Sequence, residues 1–513
     1  MTTDAHFRPV VDQPVVATTY GPVRGADNGR VKTWKGLRYA AAPVGDLRWR
    51  APAAPEPWTE IADATSFGPV SPQPRSPIPM GLGTRADEDC LFLNVWAPSG
   101  ADTGAKPVMV WVHGGAYIFG AGSQPLYDGS VLADSSDVVV VTINYRLGAL
   151  GFIDLSSAGF DSNVALRDVL AALRWVRDNI AGFGGDPDRV TLFGESAGAG
   201  IVTTLLAVPA AAGLFSRAIA QSSPATSIYD TDRAGAVAQL LLDRLGMTAA
   251  EAHQAPVQAL IDASMEVFDH VPTATPGRLA FAPTVDGDLV PDYPVTLARA
   301  GKTHRVPLLI GTNKDEAALF RFMRSPLMPI APKAIRTMFD EIASDQPGLQ
   351  LPTAEQIGTA YPARRARTRS LGVASDMGFR MPTVWFAEGH GAVAPVYLYR
   401  FDWATPVFKA IRLGAAHATE LIYVWGNLVS GSRDITFKLG GLKTGEALSQ
   451  RMRTRWANFA ATGVPSGPVG EPQWAPYEVD RRTTLIIDRE DKVVDDLDRT
   501  IRLAWGDQVL SFR

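Results

Sequence analysis

The chain has 513 residues, 46% hydrophobic and 20% charged, which is enough apolar material for a large buried core. A formal net charge of -4 gives no electrostatic basis for nucleic acid or an anionic membrane as a partner. Cys90 is the only cysteine, so an internal disulfide is excluded and the residue reads as a small buried hydrophobe.

Residues 1–16 are polar, carry Asp4, His6, Arg8 and Asp12, and have no apolar run behind a basic start. That predicts no secretory leader and a cytoplasmic protein. Strands and turns fill the first section, and residues 66–84, dense in proline and glycine, are predicted to be a loop. Two β-branched runs, 107–112 and 137–144, read as strands flanking His113-Gly114-Gly115-Ala116. A helix is predicted over 163–180, where Leu166, Leu170, Leu173 and Val176 recur every three or four residues. Gly182, Gly184 and Gly185 end it, and Asp186-Pro187 turns the chain into a strand over 189–193. Residues 217–221, 306–312, 395–401 and 484–488 are further strands, 230–276 a helical insertion, and 445–461 a late helix. Alternating strand and helix predicts an α/β protein: a large, mostly parallel sheet with helices on both faces. No linker divides the chain, so residues 1–513 are expected to form one domain with insertions.

The segment Gly194-Glu195-Ser196-Ala197-Gly198-Ala199 joins the strand over 189–193 to a helix-like stretch. A serine at such a turn stands exposed above the sheet edge, with the free N–H groups of the next helix beneath it. Gly-x-Ser-x-Gly alone arises readily by chance in a chain with 47 glycines, so the strand-to-helix context carries the reading of Ser196 as a nucleophile. A serine hydroxyl needs a general base. Of seven histidines, His6 lies in the tail, and His253, His270, His304 and His390 sit in polar or turn-like surroundings that predict surface positions. His417 lies in Gly414-Ala415-Ala416-His417-Ala418, where small neighbours let an imidazole approach another segment closely. Sites built on such a turn order their residues Ser, then Asp or Glu, then His. The carboxylate is therefore expected after the strand over 306–310, at Asp315 or Glu316, and spacing does not choose between them. His113-Gly114-Gly115-Ala116 has the form of a loop that offers backbone N–H groups to an oxyanion, with the N–H of Ala197 as a further donor.

Taken together these residues resemble the type-B carboxylesterase family, which includes bacterial para-nitrobenzyl esterases and animal cholinesterases. Glu88-Asp89-Cys90-Leu91-Phe92-Leu93-Asn94-Val95 is similar to a second family signature. Asn144-Tyr145-Arg146-Leu147-Gly148, Phe183-Gly184-Gly185-Asp186-Pro187 and Trp456-Ala457-Asn458-Phe459-Ala460 follow in the family's order. The resemblance implies an α/β-hydrolase fold with helical insertions around an active-site gorge. It implies a triad of Ser196, Glu316 and His417, preferring Glu316 to Asp315, and oxyanion donors from Gly115, Ala116 and Ala197, with Gly114 shaping the loop. Ser222 matches an auxiliary serine near the triad. No metal or organic cofactor is implied, and the expected partner is a small-molecule ester. Secreted animal relatives pair the signature cysteine with an upstream partner, and Cys90 has none. Position and composition suggest that loops 66–84 and 403–416 line the gorge mouth through Pro79, Met80, Leu82, Trp403 and Phe408. The reading is a serine carboxylesterase. Amide, carbamate or thioester hydrolysis by the same triad is the alternative, and a non-catalytic binding module, a use to which the family also puts this fold, is the rival from another class.

Overall fold

A computed structural model describes residues 13–76, 80–81, 83–100, 104–362, 366–429 and 434–512. Eleven strands form the central sheet. In chain order they are β1 (Ala26–Asp27), β2 (Val31–Arg38), β3 (Phe92–Pro98), β4 (Lys106–Val112), β5 (Val139–Ile143), β6 (Gly185–Glu195), β7 (Arg217–Gln221), β8 (Leu308–Asn313), β9 (Val396–Phe401), β10 (Thr484–Ile487) and β11 (Lys492–Val494). Their spatial order is β1-β2-β3-β5-β4-β6-β7-β8-β9-β10-β11. From β5 through β10 every neighbouring pair is parallel, and antiparallel strands finish both edges. This is the mostly parallel sheet that the alternation of strands and helices predicts, in the α/β-hydrolase arrangement that the family resemblance implies.

Both faces of the sheet are covered, so its strands read as continuous apolar runs rather than alternating ones. Along β4, Val108, Val110 and Val112 pack into one core cluster with Leu166, Val169, Leu170 and Leu173 of helix α1 (Val164–Asn179). The alternate residues Met109 and Trp111 point the other way, into a cluster with Trp425, Trp456 and Phe459. The period-2 geometry of a strand sorts one run into two cores. Helix α2 (Ala197–Leu205) follows β6 and is buried along its whole length. The predicted insertion over 230–276 holds α3 (Thr231–Leu245), a short helix Ala249–His253, and α4 (Val257–Ala274). Gly246, at φ 64°, ends α3, and a capping box between Thr248 and Glu251 starts the next helix.

Several predicted elements differ from the observed ones. The late helix, α8 (Leu442–Thr462), begins three residues before the predicted start. The helices between β8 and β9 were not predicted: α5 (Ala317–Met323), α6 (Pro332–Asp345), Ala354–Ala360, and Ala366–Ser375 running on into α7 (Met381–His390). Nearly every residue of α7 is buried, so it has no polar face and no 3.6-residue stripe to read. His390, expected at the surface, is fully buried; its ring nitrogens bond Thr303 Oγ1 at 2.8 Å and the Val306 carbonyl at 2.9 Å. Cys90 is buried and unpaired, as the sequence suggests. Among the described residues, no helix is long and apolar enough to cross a membrane.

One buried ion pair fixes the chain after β5. Arg146 makes a two-pronged contact with Asp168 of α1 (2.8 and 2.6 Å), and its own N–H donates to the same carboxylate at 3.1 Å. Both side chains are buried. The neighbouring Tyr145 stacks on His113, ring centroids 4.5 Å apart, and donates its hydroxyl to the His113 carbonyl at 2.6 Å. Asp168→Ala should therefore cost about 3–5 kcal/mol, because it strands a buried guanidinium. Urea unfolding of the variant measures that loss, and a paired Arg146→Met/Asp168→Leu replacement should recover most of it.

Candidate active site

The parallel register sets the carboxyl ends of β4, β6, β7 and β8 side by side: Val112 pairs with Gly194, Glu195 with Gln221, and Gln221 with Gly311. Ligand sites of open α/β sheets form at such an edge. Ser196 stands at the end of β6 with φ 56° and ψ -124°, a left-handed conformation for a residue that is not glycine. Its N–H donates to the Gln221 carbonyl at 2.9 Å, and its own carbonyl receives the Gly200 N–H at 2.9 Å. Close packing explains the flanking glycines. A Cβ at Gly198 would lie 2.1 Å from the Val112 carbonyl oxygen, and one at Gly194 would lie 2.7 Å from the same oxygen.

Glu316 is buried at the start of α5, directly after β8. One of its oxygens receives the Ser222 hydroxyl at 2.6 Å and the Asn313 N–H at 2.7 Å; the other lies 2.7 Å from His417 Nδ1. Of the two carboxylates that spacing left open, Glu316 is the one in contact with His417. Asp315 instead braces the histidine's loop, accepting the Ala415 N–H at 3.1 Å while its own N–H bonds the Ala415 carbonyl at 2.9 Å. His417 is buried and flanked by the rings of Phe379 and Phe320, with centroids at 4.5 and 5.3 Å. Ser222, at the end of β7, also takes a left-handed backbone, φ 51°.

Gly114, Gly115 and Ala116 follow β4. Gly115 has φ +122°, which a side chain would strain. Its carbonyl receives the N–H groups of Ile118 and Phe119, folding the loop into a tight turn. At Gly114 a Cβ would lie 2.8 Å from Glu195 Oε2 and 3.0 Å from Ser196 Cβ, so the loop rests directly on the serine turn. Ala197 opens α2, where the first N–H groups have no partner within the helix. His113, on the same loop, is held neutral: burial pushes its pKa down to about 4 against the opposing hydrogen bond to the Gly114 carbonyl.

Sequence reasoning missed a second set of polar groups behind the histidine. Glu195 Oε1 comes within 3.1 Å of His417 Nε2, at an angle that makes no hydrogen bond, and no hydrogen bond closes between Nε2 and the Ser196 hydroxyl. Catalytic hydrogen bonds of this kind often tighten only when substrate is bound. Glu420, fully buried, accepts from Gln221 Nε2 at 3.0 Å and from the Asn313 side chain, while Gln221 accepts from Trp456 Nε1 at 3.1 Å. The signal was a carboxylate beside an apolar run in each case: Glu195 ends the strand, and Glu420 precedes Leu421-Ile422-Tyr423-Val424-Trp425. Burial, with the other carboxylates nearby, lifts Glu195 to about 8 despite the opposing pull of His417. Burial disfavours the imidazolium, but Glu195, Glu316 and Glu420 outweigh it and raise His417 to about 9.

A cavity opens beside Ser196 and Ala197. Its walls are apolar, from Leu279, Phe320, Met328, Met338, Phe379 and Phe512 among others. Of the expected gorge-mouth residues, the described ones, Met80, Trp403 and Phe408, are not among its walls. Trp403 is buried in the second core cluster and donates to Tyr423, and Phe408 packs against Ala318, Leu413 and Ala416. Gln73 ties loop 66–84 to Gly120, behind the oxyanion turn, and Met80 is not among the cavity's walls. Pro79 and Leu82 lie outside the described residues.

The family model described as "Carboxylesterase family" matches residues 12–504. The chain belongs to the carboxylesterase family. It is 39% identical over 505 residues to para-nitrobenzyl esterase of Bacillus subtilis (strain 168), covering 94% of this chain and 96% of the relative. It is 33% identical over 503 residues to phenmedipham hydrolase of Pseudarthrobacter oxydans, with the same coverage. A solved structure of a thermophilic PNB esterase matches with a TM-score of 0.86 at 37% identity, over 96% of this chain and 100% of that one. This carboxylesterase is thus a carboxylic ester hydrolase on an α/β-hydrolase scaffold.

The carboxylates raise the pKa of His417, so the acid limb of its kcat/KM profile should lie above the ordinary histidine value of about 6.5. Glu195→Gln removes one source of that rise and should move the limb toward lower pH. Parallel pH–rate profiles of wild type and Glu195→Gln check the direction.

Proposed function

We propose that the carboxylesterase works through an acyl-enzyme on Ser196, with His417 as general base and Glu316 orienting it. The observation that carries the assignment is Glu316. It is a buried carboxylate whose donors are the Ser222 hydroxyl, the Asn313 N–H and His417 Nδ1, an arrangement that keeps Nδ1 protonated, so that Nε2 is the nitrogen that accepts a proton once His417 is neutral. His417 takes the proton of Ser196 as Oγ attacks the ester carbonyl, and Glu316 stabilises the resulting imidazolium. The N–H groups of Gly115, Ala116 and Ala197 receive the oxyanion of the tetrahedral intermediate, Gly114 allowing the loop to lie close enough. The alcohol leaves with the proton from His417. Water then attacks the acyl-enzyme by the same route and releases the acid. Ser222 holds Glu316 in place from behind.

The cavity's apolar walls support esters of small to medium hydrophobic acids or alcohols as substrates. One relative is named for hydrolysing phenmedipham, so that compound belongs in the substrate panel beside simple esters. A cytoplasmic location is also proposed, supported by the unpaired, buried Cys90; recovery of the native protein from a secreted or periplasmic fraction would overturn it.

The test is steady-state hydrolysis of short-chain para-nitrophenyl esters by wild type, Ser196→Ala, Glu316→Gln and Ser222→Ala. Ser196→Ala should lower kcat by at least about a thousandfold and Glu316→Gln by about a hundredfold or more. Ser222→Ala, which keeps all three triad groups, should cost about tenfold. Circular dichroism confirms that each variant is folded, and a folded Ser196→Ala protein as active as wild type would refute the assignment.

A further inference from the structure

Beside the serine the cavity is walled by elements next to the sheet, but its other lining residues come from segments far away in sequence. Gly277 and Leu279 follow α4, Met338 lies on α6, and Ser511 and Phe512 come after β11. These pieces touch. A Cβ at Gly277, itself at φ +90°, would lie 3.0 Å from Met338 Sδ and 3.3 Å from Phe512 Cε2.

Phe512 is held in place on several sides. Its side chain is nearly buried, and the guanidinium groups of Arg278 and Arg233 lie over its ring at 4.8 and 5.3 Å. Arg278 is anchored in turn by Asp345 at 2.6 Å. The main chain beside it is fixed as well: the Ser511 carbonyl receives Gln346 Nε2 at 2.6 Å, and the Gln508 side chain receives the Gln350 N–H at 2.7 Å. Upstream, Trp505 donates to the Tyr361 hydroxyl at 2.6 Å. Residues 505–512 thus form a strap bonded at both ends, which presents one aromatic ring to the cavity. Apart from two phenols, the cavity's lining among the described residues contains no ionisable side chain, so an uncharged apolar chain is the group this wall would meet.

We propose that Phe512, seated against Met338 and Gly277, is the end wall that sets the longest apolar chain the esterase accepts. This rests on the carboxylesterase reading and adds the residue that limits substrate length. A chain running from the ester at Ser196 meets a packed ring there, and its next methylene would have to displace a side chain clamped by two arginines. Removing the ring would leave room for the extra methylenes. Each methylene gained in a hydrophobic pocket is worth roughly tenfold or more in specificity.

The experiment compares kcat/KM for para-nitrophenyl acetate through decanoate in wild type, Phe512→Ala, Phe512→Trp and Met338→Ala, with enzyme normalised by active-site titration. Phe512→Ala and Met338→Ala should shift the preferred length upward by two or more carbons. They should raise the octanoate-to-acetate ratio of kcat/KM by at least about tenfold. Phe512→Trp should shift the preference downward. A ratio within twofold of wild type in both truncation variants overturns the proposal, and so does an equal loss at every chain length, which marks Phe512 as structural support only. Should Phe512→Ala fail to fold, Met338→Ala and Phe512→Trp decide alone. Wild-type acetate turnover is read first, so a failure of the esterase reading is not mistaken for a failure of the wall.

Discussion

The turn at Ser196 is the constraint on which the rest of the site depends. A left-handed backbone at a residue other than glycine costs on the order of 1–3 kcal/mol and persists only where its surroundings over-determine it. Here they do. Gly194 and Gly198 let the turn press against the carbonyl of Val112, the Ser196 N–H is tied to β7, and Gly114 lays the next loop on top. Any side chain at these glycines would push apart β4, β6 and α2, whose mutual approach holds Ser196 at the turn into the helix. The same close approach that strains the serine also brings the Gly114 loop against its turn, so the two features have one cause.

The second theme is charge confined in a small dry volume. Glu195, Glu316 and Glu420 surround His417, and all four side chains are buried. Three ionised carboxylates in a low dielectric would repel strongly, so burial holds Glu195 and Glu420 above the usual carboxylate range. Glu316 is treated differently: a hydroxyl, a backbone N–H and the imidazole all face it. Of the three it is the one in hydrogen-bond contact with His417 Nδ1, which places it to balance an imidazolium. Its neighbours then set how readily the imidazolium forms, which links residues that never meet substrate to the pH range of activity.

Local grammar made the catalytic edge legible in the sequence. Ser196 is marked by its strand, its turn and its glycines, and the oxyanion loop by Gly114-Gly115 between two β-branched strands. Position after a strand narrowed the acid to Asp315 or Glu316, and the family resemblance, then the contact with His417, favoured Glu316. Fully buried polar positions were less legible. His390 looked like a surface residue because its neighbours in sequence are polar or small, while its bonds to Thr303 and Val306 come from some 85 residues away in the chain. Helix α7 was invisible for the opposite reason, since burial on all sides removes the apolar stripe by which a helix is recognised.

The cavity walls were illegible for a deeper reason. Trp403 and Phe408 were natural candidates because they precede His417 in sequence, yet Trp403 is buried in a core and Phe408 packs, half-buried, against Ala318, Leu413 and Ala416. The residues that do face the cavity, such as Leu279, Met338 and Phe512, lie on three segments that no local pattern connects. Ser196 and Glu316 follow strands whose register is fixed by the sheet's hydrogen bonds, and Asp315 braces the loop that carries His417, so pairing at one sheet edge sets their relative positions. The walls are brought together only by the packing of insertions onto that frame. A change of one wall residue leaves the strand register untouched, so substrate choice can shift while the chemistry stays in place. A change at Gly194 or Gly198 would disturb both.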